Sequence, residues 1–261
     1  MNVVTGRVDV PVEALVALAE REQVGQLHVT LRPEPLWLSA QDKAEADKRV
    51  DEALSVAGLV DERGRTTVDF LDWLPLLSKP SVEYYGWVRT GGRTYGILAA
   101  ARGLQAVLAV SGGNLGGNSV GNLVGNLVGI QAIDRQRLVE ELIGQLPPLR
   151  AGGGNPRTVL VSDLARTAEL GDDAYPLDPA LADVVSLVQR PVEGSGELYA
   201  GRRDDVGRHT FLRQPLHFAD TDWGRYLSYT TGTGPDEAIH LAPATPAALA
   251  KTLRELATTD L

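Results

Sequence analysis

The sequence predicts an α+β fold in which antiparallel strands form a central sheet and helices pack at its sides. Residues 80–110 contain aromatic and β-branched runs separated by Gly91-Gly92 and by Arg102-Gly103, a pattern typical of strands joined by tight turns. A similar run returns later, with Tyr199 following Tyr85 by 114 residues. Segments with helical periodicity precede and follow both runs. The chain is therefore expected to be organised around two related blocks of strands.

The two blocks share one order of elements: a helix, a basic residue followed by proline, four strand segments and a second helix. The basic-proline pairs are Lys79-Pro80 and Arg190-Pro191, and the spacing of Glu83, Tyr85 and Arg89 recurs in Glu197, Tyr199 and Arg203. We interpret this order as an internal duplication whose strands form one continuous or closely apposed antiparallel platform. The alternative is coincidence, since unrelated α+β segments share such patterns.

Two strands and three helices are predicted before the first block. The strands are Val8–Val10 and the alternating residues Leu27–Leu31. Apolar residues at helical spacing mark the helices, which run from Pro11 to Gly25, from Ser39 to Ala57 and from Val68 to an end at Lys79-Pro80. Pro11 suits a helix N-terminus because its missing amide hydrogen costs little there.

Four glycine-asparagine pairs follow the first block. The asparagines are Asn114, Asn118, Asn122 and Asn126. Each glycine disfavours regular structure by roughly 0.5–1 kcal/mol relative to alanine. Residues 113–129 are therefore expected to form a mobile loop at the tip of a hairpin, closed by a strand at Ile130–Ile133.

The second half repeats the pattern. Asp134 and Asp178 are expected to cap helices, because aspartate is a preferred N-cap residue, and Thr245-Pro246 starts a terminal helix. The predicted strands are Val159–Val161, Glu197–Gly201, Thr210–Leu212, Leu216–Phe218, Tyr226–Tyr229 and Ile239–Leu241.

A proline- and glycine-rich stretch at 147–156 divides the sequence near its middle and has the composition of a linker. We expect a single domain over 1–261 with pseudo-repeat halves at about 1–148 and 157–261.

Composition excludes several classes of partner and site. Lys and Arg total 25 against 34 Asp and Glu, a net charge of -9, and no basic cluster forms a footprint for nucleic acid or an anionic membrane. Cysteine is absent, so disulfides and thiolate metal sites are excluded. This composition suits a protein of a reducing compartment. Since the sequence shows no signal peptide and no run of roughly 20 apolar residues, we expect a cytoplasmic protein.

Catalytic and metal-binding patterns are weak. No two of the histidines have a metal-ligand spacing, and no cofactor is expected; they are His28, His209, His217 and His240. His217 with Asp220, Asp222 and Ser228 is the nearest approach to a nucleophile-base-acid set. Ser228 lies in an alternating strand and no Gly-x-Ser-x-Gly elbow is present, so a hydrolase is the weaker hypothesis and no catalytic residue is proposed.

Aromatic and arginine side chains on the predicted strands favour a binding protein, because these types are enriched at interface hot spots. The candidate partner-binding residues are Trp87, Arg89, Tyr199, Arg203, Phe211 and Arg213. Alternation turns one side of each strand toward the core, so about half of such residues are expected to be structural.

Several segments in order resemble the EspG family, the cytosolic chaperones of mycobacterial and actinobacterial type VII secretion. They are Gly58–Asp61 with Gly64-Arg65, the helix ending Leu76–Pro80, the strand pair Arg93–Ala100 and Leu104–Val110, the run Phe218–Leu227, and Ala242–Pro246 leading into Leu249, Leu253 and Leu256. They span nearly the whole chain, although no single motif is specific.

The resemblance implies two pseudo-symmetric halves around a central antiparallel sheet flanked by helical bundles. It also implies a non-enzymatic role: binding a PE–PPE heterodimer, or a similar helical secretion substrate, at its tip and keeping it soluble before secretion. The client would dock on the sheet and the C-terminal half. The Gly-Asn repeat departs from the family pattern and leaves the client open, because loop differences separate paralogous systems. A self-associating module, forming a weak homodimer through the sheet, is the alternative.

Overall fold

The computed structural model describes residues 6–32, 40–112, 127–170 and 177–260. The repeat asparagines Asn114, Asn118, Asn122 and Asn126 lie outside these ranges. The mobile loop therefore stays a prediction from sequence.

Strands and helices alternate in groups along the chain. The strands are β1 (Val8–Pro11), β2 (Val82–Thr90), β3 (Arg93–Arg102), β4 (Gln105–Ser111), β5 (Leu127–Ala132), β6 (Arg157–Leu160), β7 (Val192–Arg203), β8 (His209–Phe211), β9 (Leu216–Thr221), β10 (Gly224–Thr231) and β11 (Ala238–Pro243). The helices are α1 (Val12–Arg21), α2 (Ala40–Val56), α3 (Val68–Leu71), α4 (Leu74–Ser78), α5 (Leu138–Ile143), α6 (Val161–Leu170), α7 (Pro179–Val188) and α8 (Pro246–Asp260). The predicted α+β class is confirmed.

Two local predictions differ from the structure. The strand expected at Leu27–Leu31 is wrong, since Val29–Leu31 forms a 3-10 helix. The buried His28 ring accepts a hydrogen bond from the Thr30 amide at 3.3 Å, and this side-chain bond competes with strand pairing. The single helix expected from Val68 to Lys79-Pro80 is two helices, α3 and α4, because the chain turns between them and Pro75 occupies the first turn of α4.

In the described part of the chain, eleven strands form one antiparallel sheet in the order β1-β5-β4-β3-β2-β7-β9-β10-β11-β6, with β8 paired to β7. Read outward from the central β2–β7 pair, both halves have the same topology. β3, β4, β5 and β1 on one side correspond to β9, β10, β11 and β6 on the other. The helices follow the same scheme, with α1, α2 and α5 in one half matching α6, α7 and α8 in the other.

The repeat spacing locates the pseudo-twofold axis. Tyr85 and Tyr199, separated by 114 residues, are direct partners in the β2–β7 pairing. Their rings stack with centroids 5.2 Å apart and planes 11° from parallel. Only at this pair does the sequence offset coincide with the strand register, so the axis passes between the two rings.

The sheet has two faces with separate cores. The front face bears Tyr85, Trp87 and Tyr199, and its core is formed with α1, α2, α3 and α4 over the N-terminal half. The back face bears Val88, Leu198 and Phe218, and its core is formed with α5 and α8 near the centre of the sheet. Helices therefore seal the front face over the N-terminal half and the back face near the middle.

The stretch at 147–156 packs against the C-terminal half instead of hanging free. The buried Arg225 guanidinium donates to the Pro147 carbonyl at 2.9 Å, and the Gly152 amide donates to the Arg225 carbonyl at 2.9 Å. A Cβ at Gly152 would lie 2.1 Å from the Tyr226 ring. We call residues 147–156 the crossing segment, and these contacts fix it along β10.

Candidate functional site

Five of the six candidate binding residues lie on the front face. Pairing places Arg89 opposite Ser195 and Trp87 opposite Glu197, while β8 adds Phe211 opposite Gly201. Since strand side chains alternate between faces, the odd-numbered positions of β2, β7 and β8 share the face of Tyr85 and Tyr199. Arg213 lies exposed between β8 and β9, outside this alternation.

The aromatic members of this set are partly structural. Trp87 and Tyr199 are half-buried against the front-face core, with ring centroids 5.9 Å apart in an edge-to-face arrangement. The Tyr199 hydroxyl donates to Glu197 Oε2 at 3.0 Å. Burial, with a further contribution from Glu197, raises the pKa of Tyr199 to about 12. The phenol therefore stays protonated and holds Glu197 at the edge of the cluster.

The arginines differ in their contacts. Arg89 is exposed and donates to the Ser195 hydroxyl at 3.2 Å, which leaves its guanidinium accessible beside the start of β7. Arg203 donates to the Gly207 carbonyl at 3.2 Å and so braces the β7–β8 turn. Phe211 is 50% exposed, so its ring is accessible to a partner.

The front face of the C-terminal half is open. None of the described side chains of α6 is buried, and Val184 is the one buried residue of α7. Val188 is 75% exposed, Val192 52% and Trp223 44%. Exposed apolar side chains that lie together on one face can mark an interaction surface.

A cleft of about 470 Å³ separates α7 from the sheet. Its apolar lining includes Leu187, Trp223, Tyr226, Leu241 and Pro243. Two ion pairs hold its walls: Arg157 with Asp183 at 2.7 Å, and Arg190 with Asp222. We call this the C-terminal cleft.

Cations lie at the rim of the C-terminal cleft. The Arg190 guanidinium stacks over Trp223, 4.4 Å from its ring centroid, and is neutralised by Asp222. Arg150 lines the cleft, and no described side chain forms an ion pair with it. Arg150 is therefore available to a carboxylate on a partner.

Beside the cleft, the sheet floor is polar. The strand register places Glu197 opposite His217 and His217 opposite Ser228 on the front face. Both Glu197 and His217 are exposed. The open surface thus combines an apolar cleft with a floor of hydrogen-bonding groups.

The catalytic alternative finds no assembled set. His217 and Ser228 are cross-strand partners, but among the described residues neither side chain hydrogen-bonds to the other. Asp220 points to the opposite face, where its carboxylate accepts from Arg225 at 2.6 and 2.8 Å. Asp222 is paired with Arg190. Neither acid orients the imidazole as a nucleophile-base-acid set requires.

Sequence patterns did not indicate the buried carboxylate of Glu83, which lies on the front face at the start of the central strand β2. Glu83 is 2% exposed and its Oε1 lies 2.8 Å from His209 Nε2 and 3.7 Å from His28 Nε2. Burial alone raises the pKa of Glu83, but interactions with His28 and then His209 outweigh it, so the pKa is lowered from its ordinary value. The carboxylate is a link between the halves, because His28 and His209 come from different ones.

Sequence reasoning also missed the residues that line the C-terminal cleft. The available signal was α7, whose sequence PALADVVSLV carries more apolar residues than one helical face can bury. The positions of Trp223 and Arg150 depend on the strand order and the path of the crossing segment, which local patterns do not encode.

Two features are absent from the described residues. Over residues 6–32, 40–112, 127–170 and 177–260, no cluster of His, Cys, Asp and Glu is arranged to hold a metal ion. Over the same residues no helix is both long and apolar enough to span a membrane.

Comparison with solved structures shows the same fold in a bacterial chaperone. The Mycobacterium tuberculosis type VII secretion system chaperone EspG5, solved in complex with a PE25-PPE41 dimer, aligns with a TM-score of 0.67 at 15% identity. The alignment covers 98% of this chain and 97% of that one. A comparison with curated proteins found no match. The model of the EspG family matches residues 11–255, and on that match over nearly the whole chain this protein belongs to the EspG family.

Proposed function

We propose that this protein is a cytoplasmic, non-enzymatic chaperone of type VII secretion that binds a PE–PPE-type heterodimer through the front face of its C-terminal half. Family membership over residues 11–255 supports the chaperone role. The similar EspG5 structure contains a PE25-PPE41 dimer, which supports the class of client.

The docking site is proposed because the front face of the C-terminal half is open. The C-terminal cleft offers about 470 Å³ of largely apolar space, and Val188, Val192 and Trp223 extend its apolar surface. A helical client that hides an apolar tip here gains burial of roughly 25 cal/mol per Å². The client stays soluble because the patch through which it would self-associate is covered.

Release requires that the interface be moderate. The cleft stands beside exposed Glu197 and His217 and a rim of arginines, so part of the contact is polar and solvated. Such mixed interfaces are typical of non-obligate complexes. A chaperone that hands its client to a secretion machine needs this property.

Co-expression with a PE–PPE pair, followed by size-exclusion chromatography, tests the proposal. The wild-type chain should co-elute with the pair, and Val188→Asp should weaken the complex at least tenfold because it places a charge against an apolar client. Val56→Asp is the matched control, since Val56 ends α2 as Val188 ends α7 and is 79% exposed. Failure of the wild-type chain to co-elute with any such pair contradicts the proposal.

Light scattering on the isolated chain tests self-association. A monomer leaves the front face free for a client. A tight dimer that masks Trp223 and Val188 would instead favour the homodimer.

A further inference from the structure

The two halves differ most in the chain that joins the second helix of each half to the central strand. In the N-terminal half it runs through residues 57–81, whereas in the C-terminal half it is residues 189–191. The longer connection contains α3 and α4. We call Val68–Ser78 the plug.

The plug covers the front face of the N-terminal half together with α1 and α2. Phe70, Leu74 and Leu77 are 0% exposed and Trp73 is 7% exposed, and the Phe70 and Trp73 rings lie 5.9 Å apart. α4 packs on β3 and β4. The plug buries its large apolar side chains in the front-face core.

The pseudo-twofold axis maps the plug's position onto the C-terminal cleft. Counted outward from the Tyr85–Tyr199 pair, β3 and β4 correspond to β9 and β10, and Gln105 on β4 corresponds to Tyr226 on β10. Tyr226 lines the C-terminal cleft. The cleft therefore begins where the edge of the plug lies in the other half, at the Gln105 position. The counterparts of Ala100 and Val107 are His217 and Ser228 of the polar floor beside the cleft.

Charge follows the same correspondence. Asp72 of the plug accepts a hydrogen bond from Gln105 Nε2 at 3.2 Å. Beside Tyr226, the counterpart of Gln105, lies Arg150 at the rim of the cleft. A carboxylate placed as Asp72 is placed would therefore meet a cation in the C-terminal half.

We propose that the plug is an internal counterpart of the client element that enters the C-terminal cleft. The client element is then a short helical segment with large apolar side chains on one face and a carboxylate that pairs with Arg150. This inference rests on the proposed function and adds the chemistry of the partner. The plug covers the front face within the N-terminal half, and a helical segment of the client takes the corresponding role in the C-terminal half.

Fluorescence quenching tests this directly, because the chain has no cysteine and accepts a single labelled one. Bimane is attached to Ser186→Cys, which borders the cleft, and a peptide of residues 66–79 is added. Trp73 of the peptide should quench the label saturably. The control label at Ser55→Cys, exposed on α2, should not respond.

Charge exchange separates specific from adventitious binding. Arg150→Glu in the chain should weaken peptide binding at least tenfold, and a peptide carrying Asp72→Lys should restore it. A peptide with Phe70→Ser and Leu77→Ser should not bind. Quenching that is the same with all of these variants would overturn the inference.

A tethered plug removes the ordering cost of a short isolated helix, which is marginal below about 12–15 residues. Residues 66–79 are copied between Gln189 and Arg190, the matching place in the second half, so that Arg190 is kept. The insertion chain should fold, protect amides of β9 and β10 from exchange, and lose the PE–PPE pair. An insertion that carries the changes Phe70→Ser and Leu77→Ser in the copied segment should leave binding of the PE–PPE pair intact.

The outcomes separate the two proposals. A folded insertion chain that binds the pair as the wild type does, together with no peptide quenching, overturns the plug inference while leaving the chaperone proposal intact. Failure of the wild-type chain to bind any pair overturns the chaperone proposal.

Discussion

The two halves share one topology but treat the front face of the sheet differently. Ala100, Val107 and Ala109 in the N-terminal half are 0% exposed beneath the helices. Their counterparts through the strand register are His217, Ser228 and Thr230, which are exposed or half-buried. On this face one half has a hydrophobic core and the other has an accessible surface. Under the proposed function, the sealed half contributes stability and the open half contributes the binding surface.

The largest expected effect on stability lies in the sealed half. Phe70→Ala should lower the free energy of unfolding by roughly 3–5 kcal/mol, because it leaves a cavity in a fully buried cluster. Trp223→Ala, in the open half and 44% exposed, should cost much less. Chemical denaturation of both variants checks this. Equal losses would contradict the division of roles.

The open half is expected to depend on one buried ion pair. Arg225 and Asp220 have side-chain exposures of 3% and 9%, and Arg225 also holds the crossing segment through Pro147. Arg225→Ala should cost roughly 3–5 kcal/mol because Asp220 is left buried and unpaired. Arg190→Ala breaks an exposed pair and should cost about 0–1 kcal/mol. Denaturation midpoints that do not separate the two variants would refute this.

Acid should affect the matched glutamates differently. The pKa of Glu83 is lowered in the fold, so its ionisation stabilises the protein above the ordinary value of 4.5 and this contribution is lost as pH falls through the folded value. The stability difference between wild type and Glu83→Gln should therefore shrink as pH drops below about 4.5. Urea denaturation across that range measures it.

The control for this experiment is Glu197→Gln, at the position that corresponds to Glu83. The Glu197 side chain is exposed, so its substitution should not produce the same pH-dependent loss. A constant difference between wild type and Glu83→Gln at every pH would show that the buried carboxylate contributes through packing alone.

The smallest expected effects on stability come from exposed candidate residues. Phe211→Asp and Arg213→Glu should change the free energy of unfolding by about 0.5 kcal/mol or less, as surface substitutions usually do, while weakening the PE–PPE complex. Thermal melts and pull-down assays of each variant check this. Loss of folding would place these side chains in the core.

The sequence predicted the fold class and the repeat because both depend on local periodicity and on spacing. The offset between Tyr85 and Tyr199 even located the axis, since it coincides with the β2–β7 register. The Leu27–Leu31 strand failed because a buried histidine bond decided the backbone there. Trp223, Leu187 and Arg150 could not be predicted as neighbours, because the chain order of strands and the fixed crossing segment bring them together.

The candidate binding residues also show what local sequence patterns can and cannot predict. Alternation correctly implies that Trp87 and Tyr199 share a face with Arg89, but it cannot tell which part of that face helices cover. Which part of the front face is covered depends on the unequal lengths of the connections 57–81 and 189–191. The local sequence of a connection does not show which part of a sheet it will cover.

Hydrogen exchange of the chain with and without a PE–PPE pair tests the central claim most directly. Division of roles between the halves predicts that the client slows exchange in α7 and in residues 223–243, with α1–α4 unchanged. Protection confined to α1–α4, or to α5 and α8 on the back face, would contradict the claim that the open half is the binding half.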